Sequence, residues 1–93
     1  MTPAQCRAGR ALIEMDQSVL ARAAGVSRNV IINFEKGYRV PTQSNLAAIR
    51  RSLERAGVIF VDENEEGPGV RLRKQRPAGE SIAVVNFSAS IDG

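Results

Sequence analysis

A set of side chains in the segment 28–36 has the spacing of one helical face. At 100° per residue, this face lies opposite the apolar residues Ile31 and Phe34. Its members are Arg28 at the edge, Asn29, Ile32, Asn33 and Lys36. An asparagine amide can pair with adenine and an arginine guanidinium with guanine, and an apolar side chain can contact the thymine methyl group. The face therefore has the chemistry needed to read the edges of DNA bases.

The segment 17–37 predicts two short helices joined by a tight turn, which would present this face. The first helix has an inward face formed by Leu20, Ala21 and Ala24. Gly25 follows, where the helix must stop and a positive φ is available to glycine. Ser27 suits the N-cap of the second helix, because its hydroxyl can accept a hydrogen bond from an unpaired backbone amide. We therefore predict a helix-turn-helix whose second helix, at about 28–36, lies in the DNA major groove.

This pattern resembles the phage-repressor/Cro-like (Xre-like) helix-turn-helix family of transcriptional regulators. The residues that match the family in register and without gaps are Gln17, Ala21, Gly25, Val26, Ile31, Phe34, Glu35 and Gly37. The resemblance extends from Arg10 to about Gly57, which is more than half of the chain. It is specific because small, turn, cap and core residues are all fixed together. It implies a helical DNA-binding domain with no enzymatic activity.

The resemblance also implies roles for residues around the second helix. Family members contact the DNA backbone through the residue at Gln17, which often orients a side chain of the recognition helix. They also touch phosphates from the loop that holds Arg39. The expected DNA-binding residues are thus Gln17, Ser27, Arg28, Asn29, Ile32, Asn33, Lys36 and Arg39. We expect Asn29 and Asn33 to be exposed. For Ile32, contact with a thymine methyl group and simple exposure to solvent both fit the sequence.

Two further residues are expected to form a structural ion pair. In the family, the arginine at Arg10 pairs with the glutamate at Glu35, which locks the first helix against the recognition helix. The alternative is two exposed charges, but Arg10 sits near the apolar face of its helix and favours the pair. Cys6 lies on that apolar face, so we predict a small core residue, with a redox sensor as the alternative.

The remaining helices are predicted from their capping residues. Thr2, Pro3 and Gln5 indicate a capping box that opens a helix running to about Ile13. Asp16 suits the N-cap of the helix that Gln17 opens. Thr42 or Ser44 caps a fourth helix, which Gly57 ends. We expect the outer side of that helix to carry Arg50, Arg51 and Arg55.

After Gly57 the chain departs from the family, whose members mostly continue into a fifth helix. Segments 58–61 and 70–74 predict the strands of an antiparallel hairpin, and 82–87 is a further strand candidate. The predicted fold is mainly α: a four-helix repressor-like helix-turn-helix domain followed by a β-hairpin or small antiparallel sheet. The predicted divisions are a DNA-binding domain at 1–57, a β extension for dimerisation at 58–87, and a flexible tail at 88–93.

Composition excludes several classes of function. The chain has no histidine and one cysteine, so histidine-dependent catalysis and an intramolecular disulfide are impossible. We expect no catalytic residue, metal or cofactor. Residues 1–57 carry nine basic and four acidic residues, a net charge of +5 that suits a nucleic-acid partner. No long apolar run indicates a membrane span or signal peptide, and we expect a cytoplasmic protein.

The sequence therefore predicts a DNA-binding transcriptional regulator, either a repressor or an activator. We expect it to bind double-stranded DNA as a homodimer on inverted-repeat operators. The alternative is an antitoxin or antiactivator that binds a protein partner through its C-terminal strand region.

Overall fold

The computed structural model describes residues 1–74, which form four helices and a two-stranded antiparallel sheet. The elements are α1 at Pro3–Leu12, α2 at Gln17–Ala24, α3 at Arg28–Glu35, α4 at Gln43–Arg55, β1 at Val58–Val61 and β2 at Gly69–Leu72. The predicted mainly helical fold class is confirmed. The predicted strand at 82–87 and tail at 88–93 lie outside the described residues, so the division of the chain stays a prediction. Among residues 1–74, no helix is both long and apolar enough to cross a membrane.

Each helix begins at a residue whose side chain caps it. Thr2 Oγ1 accepts a hydrogen bond from the Gln5 amide at 3.0 Å, and Gln5 Oε1 accepts one from the Thr2 amide at 2.9 Å. This is the predicted capping box. Asp16, Ser27 and Thr42 cap α2, α3 and α4 by accepting from the backbone amide three residues later. Thr42, rather than Ser44, is therefore the cap of α4.

The predicted boundaries differ from the observed ones by one or two residues at several ends. Ile13 and Lys36 are C-caps rather than helical residues, so α1 and α3 each end one residue earlier than expected. The turn between α2 and α3 is as predicted: Gly25 has φ of 71°, a left-handed conformation that glycine adopts without strain. The second strand runs from Gly69 to Leu72 and not from 70 to 74.

A single hydrophobic core joins the helices to the hairpin. The side chains with no exposed surface are Cys6, Leu20, Ile31, Ile49, Leu53 and Val58. Burying each of the larger ones contributes about 1.5–3 kcal/mol. Val58 belongs to β1, so the hairpin completes this core. Gly9 permits the approach, because a Cβ at that position would lie 3.3 Å from Val58 Cγ1.

Polar contacts hold the hairpin to α1. In the hairpin Val58 pairs with Leu72 and Phe60 with Val70. Gln5, which is 7% exposed, donates from Nε2 to the carbonyl oxygens of Val61 at 3.1 Å and Gly69 at 3.0 Å. The same side chain thus closes the capping box of α1 and clamps the two strands where they meet the loop.

Arg50 has a different place from the one predicted. It is half-buried, its guanidinium lies 4.9 Å from the centroid of the Phe60 ring, and it pairs with Glu54 at 3.1 Å. The expectation that Arg50 lines the outer side of α4 with Arg51 and Arg55 is therefore wrong. A cation over an aromatic face stabilises the contact between α4 and β1.

Candidate nucleic-acid interface

The orientation of α3 is set by two side chains on its inner face. Ile31 has no exposed surface and Phe34 is 3% exposed. Because residues three apart lie on one side of a helix, burying both fixes which residues point outward. Ser27 caps the helix through Oγ, which accepts from the Val30 amide at 3.3 Å.

The outward residues are exposed to different extents. Arg28, Asn29 and Lys36 are exposed, whereas Ile32 and Asn33 are half-buried. The expectation of an exposed Asn33 is therefore wrong, although part of its surface remains accessible. Ile32 likewise keeps only part of its surface accessible, to solvent or to a thymine methyl group. Within residues 1–74, neither the Asn29 nor the Asn33 side-chain amide forms a hydrogen bond.

The end of α3 is joined to α1 by the Arg10–Glu35 ion pair. Arg10 Nε lies 2.7 Å from Glu35 Oε2, and Arg10 Nη2 lies 2.7 Å from Oε1. The Arg10 side chain is 19% exposed and the Glu35 side chain 3%. Arg10 Nη1 also donates to the Met15 carbonyl oxygen at 3.0 Å, so the same guanidinium holds the connection between α1 and α2.

Glu35 accepts further hydrogen bonds from residues of α1 and α2. The Cys6 thiol donates to Oε2 at 3.1 Å, and Gln17 Nε2 donates to Oε1 at 3.0 Å. Arg7 Nη1 donates to the backbone carbonyl oxygen of Glu35. The hydrogen bonds of Cys6 to this carboxylate and of Arg7 to the backbone of Glu35 were missed, because no local pattern pairs residues 28 or 29 positions apart.

The protonation states of this cluster follow from its hydrogen bonds. Burial would raise the pKa of Glu35, but the donors Arg10, Cys6 and Gln17 outweigh it and the pKa lies below its usual value. The hydrogen bond to Glu35 raises the pKa of Arg10. Burial and the hydrogen bond to Glu35 both raise the pKa of the Cys6 thiol. Cys6 is therefore a buried thiol at neutral pH, which does not fit a reactive redox sensor.

Gln17 is the first residue of α2, and a hydrogen bond to Glu35 orients its side-chain amide. One Nε2 hydrogen is used by Glu35, which leaves a second hydrogen and the Oε1 atom without a partner among the described residues. The side chain is half-buried. The hydrogen bond to Glu35 restrains the Gln17 side chain, which leaves it little side-chain entropy to lose when it binds a partner.

The loop after α3 is tied back to the recognition helix. The backbone amides of Tyr38 and Arg39 both donate to the Asn33 carbonyl oxygen, at 2.8 and 3.3 Å. Tyr38 is 75% exposed and its ring centroid lies 5.8 Å from the Lys36 ammonium, so it does not pack in the core. The Arg39 side chain is exposed.

A groove separates this loop from α3. It has a volume of about 450 Å³ and is lined by Asn29, Val30, Asn33, Arg39, Val40 and Asn45, among others. Three exposed cations, Arg28, Lys36 and Arg39, lie on α3 or just beyond its end, and none forms an ion pair within residues 1–74. The one carboxylate of α3, on Glu35, is buried and paired with Arg10, so it does not offset these three charges.

These features define a helix-turn-helix protein of the DNA-binding class. A helix-turn-helix family model matches residues 7–56. The chain belongs to the Xre/Cro-like helix-turn-helix family, as the resemblance implied. The matched span ends before β1, and a search of curated proteins found no match. The family consists of DNA-binding transcription regulators and not of enzymes.

Proposed function

We infer that the protein is a sequence-specific transcriptional regulator that binds inverted-repeat DNA operators as a dimer. The observation that carries this proposal is the outward face of α3, where two asparagine amides without partners among the described residues lie beside exposed cations. The inner face of α3 and the Arg10–Glu35 ion pair hold that face in a defined orientation.

In this proposal α3 lies in the major groove and reads bases. Asn29 and Asn33 form hydrogen bonds with base edges, Arg28 pairs with guanine at the edge of the site, and Ile32 contacts a thymine methyl group if one is present. The half-buried position of Asn33 supports a contact through the end of its side chain. Partial burial of Asn33 also restricts the rotamers open to its amide, which favours one base over the others.

Other residues position the protein on the DNA backbone. Gln17 donates to a phosphate with the Nε2 hydrogen that Glu35 does not use, next to the positive end of α2. Ser27 and Lys36 flank the recognition helix, and Arg39 reaches a phosphate from the loop. These contacts supply affinity for any sequence, whereas the residues of α3 supply the preference.

The proposal of a dimer rests on the small number of base pairs that one copy can contact. A single helix-turn-helix contacts a few base pairs, and dimers of this motif place two recognition helices one turn of DNA apart, roughly 34 Å. Residues 58–87 form the dimer contact, by packed sheets or exchanged strands. Exposed apolar surface on the hairpin supports this: Ile59 is 39% exposed and Leu72 is 48% exposed.

Selection of bound duplexes from a random DNA pool tests the proposal. The expected result is an enriched inverted repeat whose half-site centres are about 10 base pairs, or a small multiple of one turn, apart. Enrichment of a single unrepeated site would contradict the dimer. No enrichment at all would contradict sequence-specific binding and favour the antitoxin or antiactivator alternative.

A further inference from the structure

The hairpin separates charges of opposite sign at its two ends. The loop that joins β1 to β2 is acidic and exposed, with Asp62, Glu63, Glu65 and Glu66. We call these four residues the acidic tip. The end of the hairpin away from the loop is basic and exposed, with Arg71, Arg73 and Lys74. We call these three residues the basic end. The two sets form no ion pair with each other within residues 1–74 and lie toward opposite ends of the four-residue strands.

These charges have no ionic partner in the described part of the chain. Within residues 1–74 the ion pairs are Arg10–Glu35 and Arg50–Glu54, and neither includes a residue of the hairpin. Arg73 makes a long contact of 3.4 Å with the Glu54 carbonyl oxygen, and this leaves its charge uncompensated. Each end of the hairpin is thus available to a surface of opposite sign.

The hairpin also exposes apolar surface. Its inner side packs on α1 and α4, with β1 against α4 and β2 against α1. Ile59 alternates with the inward Val58 and Phe60, so its side chain, 39% exposed, faces away from the helices. Leu72 is 48% exposed at the basic end. A sheet of two short strands leaves unpaired backbone groups along its edges, and pairing or covering them is favourable.

We propose that a second copy of this chain covers the outside of the hairpin, with the two hairpins antiparallel. The acidic tip of each protomer then lies against the basic end of its partner. This inference rests on the dimer in the proposed function and specifies its interface. In a two-fold dimer the same contact forms twice, so four acidic residues meet three basic residues at each end. A parallel arrangement would bring like charges together and is disfavoured.

The location of the hairpin favours a protein partner over DNA for these residues. The hairpin packs on α1 and α4, whereas the residues that we expect to bind DNA lie on α2, α3 and the loop after α3. The acidic tip would repel phosphates. A contact of the basic end with DNA is therefore the competing arrangement, and the experiment below distinguishes the two.

Charge exchange in the full-length chain tests the arrangement. One variant, Arg71→Glu/Arg73→Glu, reverses the basic end, and a second, Glu65→Lys/Glu66→Lys, reverses part of the acidic tip. Each variant alone should dissociate at least about tenfold more readily than the parent chain, because like charges now face each other. An equimolar mixture should form heterodimers of near-parental affinity in sedimentation velocity. Arg51→Glu, an exposed charge reversal on α4, serves as the control and should leave the dimer unchanged.

The outcomes separate this inference from the proposed function. If both variants remain dimers like the parent, the interface lies elsewhere, and this inference is wrong while the dimer stands. If the parent itself is a monomer, both the interface and the dimer are wrong. Weakened variants whose mixture does not recover contradict the antiparallel pairing. Loss of half-site DNA binding in Arg71→Glu/Arg73→Glu, with Glu65→Lys/Glu66→Lys unaffected, would assign the basic end to DNA instead. Circular dichroism of each variant confirms that the helices are intact.

Discussion

The guanidinium of Arg10 and the carboxylate of Glu35 are joined by two contacts of 2.7 Å, which link α1 to the last residue of α3. The Glu35 carboxylate also accepts a hydrogen bond from Gln17 of α2. One buried carboxylate therefore connects α1, α2 and α3, the helices that position the outward face of α3. Arg50 and Glu54, by contrast, pair four residues apart on a single helix, and their side chains are 38% and 40% exposed.

Removal of one partner of the buried pair should be strongly destabilising. Glu35→Gln leaves the Arg10 guanidinium mostly buried without a counter-charge, and we expect a loss of about 3–5 kcal/mol in the free energy of unfolding. Glu54→Gln, which breaks the more solvent-accessible Arg50–Glu54 pair, should cost at most about 1 kcal/mol. Urea unfolding of both variants measures the difference. Equal effects in the two variants would show that the Arg10–Glu35 pair does not hold the helices together.

The same pair should make stability depend on acid pH. The pKa of Glu35 in the folded chain lies below its usual value, so below about pH 5 the unfolded state binds more protons. The stabilisation is complete above the unfolded pKa of about 4.3 and is lost as the pH falls through the folded pKa. Urea unfolding at pH 7, 4 and 3 measures this loss. Arg10→Met/Glu35→Leu should lose less stability over that range, because it lacks the carboxylate.

Base reading by α3 predicts a sequence-dependent loss of affinity. Asn29→Ala or Asn33→Ala should weaken binding to the selected site by about 1–3 kcal/mol and relax the preference at one base position each. Arg51→Ala, which removes an exposed side chain of α4, serves as the control and should keep the parental base preference. Fluorescence anisotropy with the selected duplex and its single-base variants is the measurement. Parental binding by either helix variant would remove that residue from base readout.

Backbone contact by Arg39 predicts a different signature. Arg39→Ala should weaken binding to all sequences alike and flatten the dependence of log affinity on log salt by about one unit. Arg55→Ala removes an exposed arginine at the C-terminal end of α4, whereas Arg39 lies in the loop before its N-terminal end. This variant should leave the slope unchanged. Titrations at several salt concentrations determine both slopes. An affinity of the parent chain that does not change with salt would contradict DNA binding as its main activity.

The orientation of α3 rests on Phe34. Phe34→Ala should reduce the free energy of unfolding by about 3–5 kcal/mol, which for a domain of this size can abolish folding. Tyr38→Ala removes an aromatic side chain that is 75% exposed, and it should change stability by no more than about 0.5 kcal/mol. Thermal and urea unfolding compare the two. A stable and fully active Phe34→Ala protein would contradict the register from which the reading face is inferred.

Residues 75–93 are expected to add apolar contact to the dimer. Truncation after Lys74 should shift the protein toward monomer in sedimentation experiments, and it should lower affinity for a full site much more than for a half-site. Circular dichroism checks that the truncated chain is folded. A truncated chain that stays dimeric and binds normally would show that the segment 82–87 has no role in assembly, which leaves the hairpin as the interface.

Features that depend on neighbouring residues could be predicted from the sequence. The capping side chains of Thr2, Asp16 and Ser27 act on amides three residues away, so their effect is local. Gly25 is required where one helix must turn into the next. The inward positions Ile31 and Phe34 follow from the helical period alone. The pairing of Arg10 with Glu35, which are distant in sequence, was expected from the family resemblance, and the position of Arg10 near the apolar face of its helix favoured it.

Other features were decided only by the tertiary structure. Gln5 clamps carbonyl oxygens 56 and 64 residues away, and Arg50 turns inward to cover Phe60. Asn33 is half-buried although the helical period placed it on the outer face. The sequence determines the period and the caps of each element, because these arise within one or two turns of chain. How far each side chain is covered depends on the packing of separate elements, and that packing is set by the whole core at once.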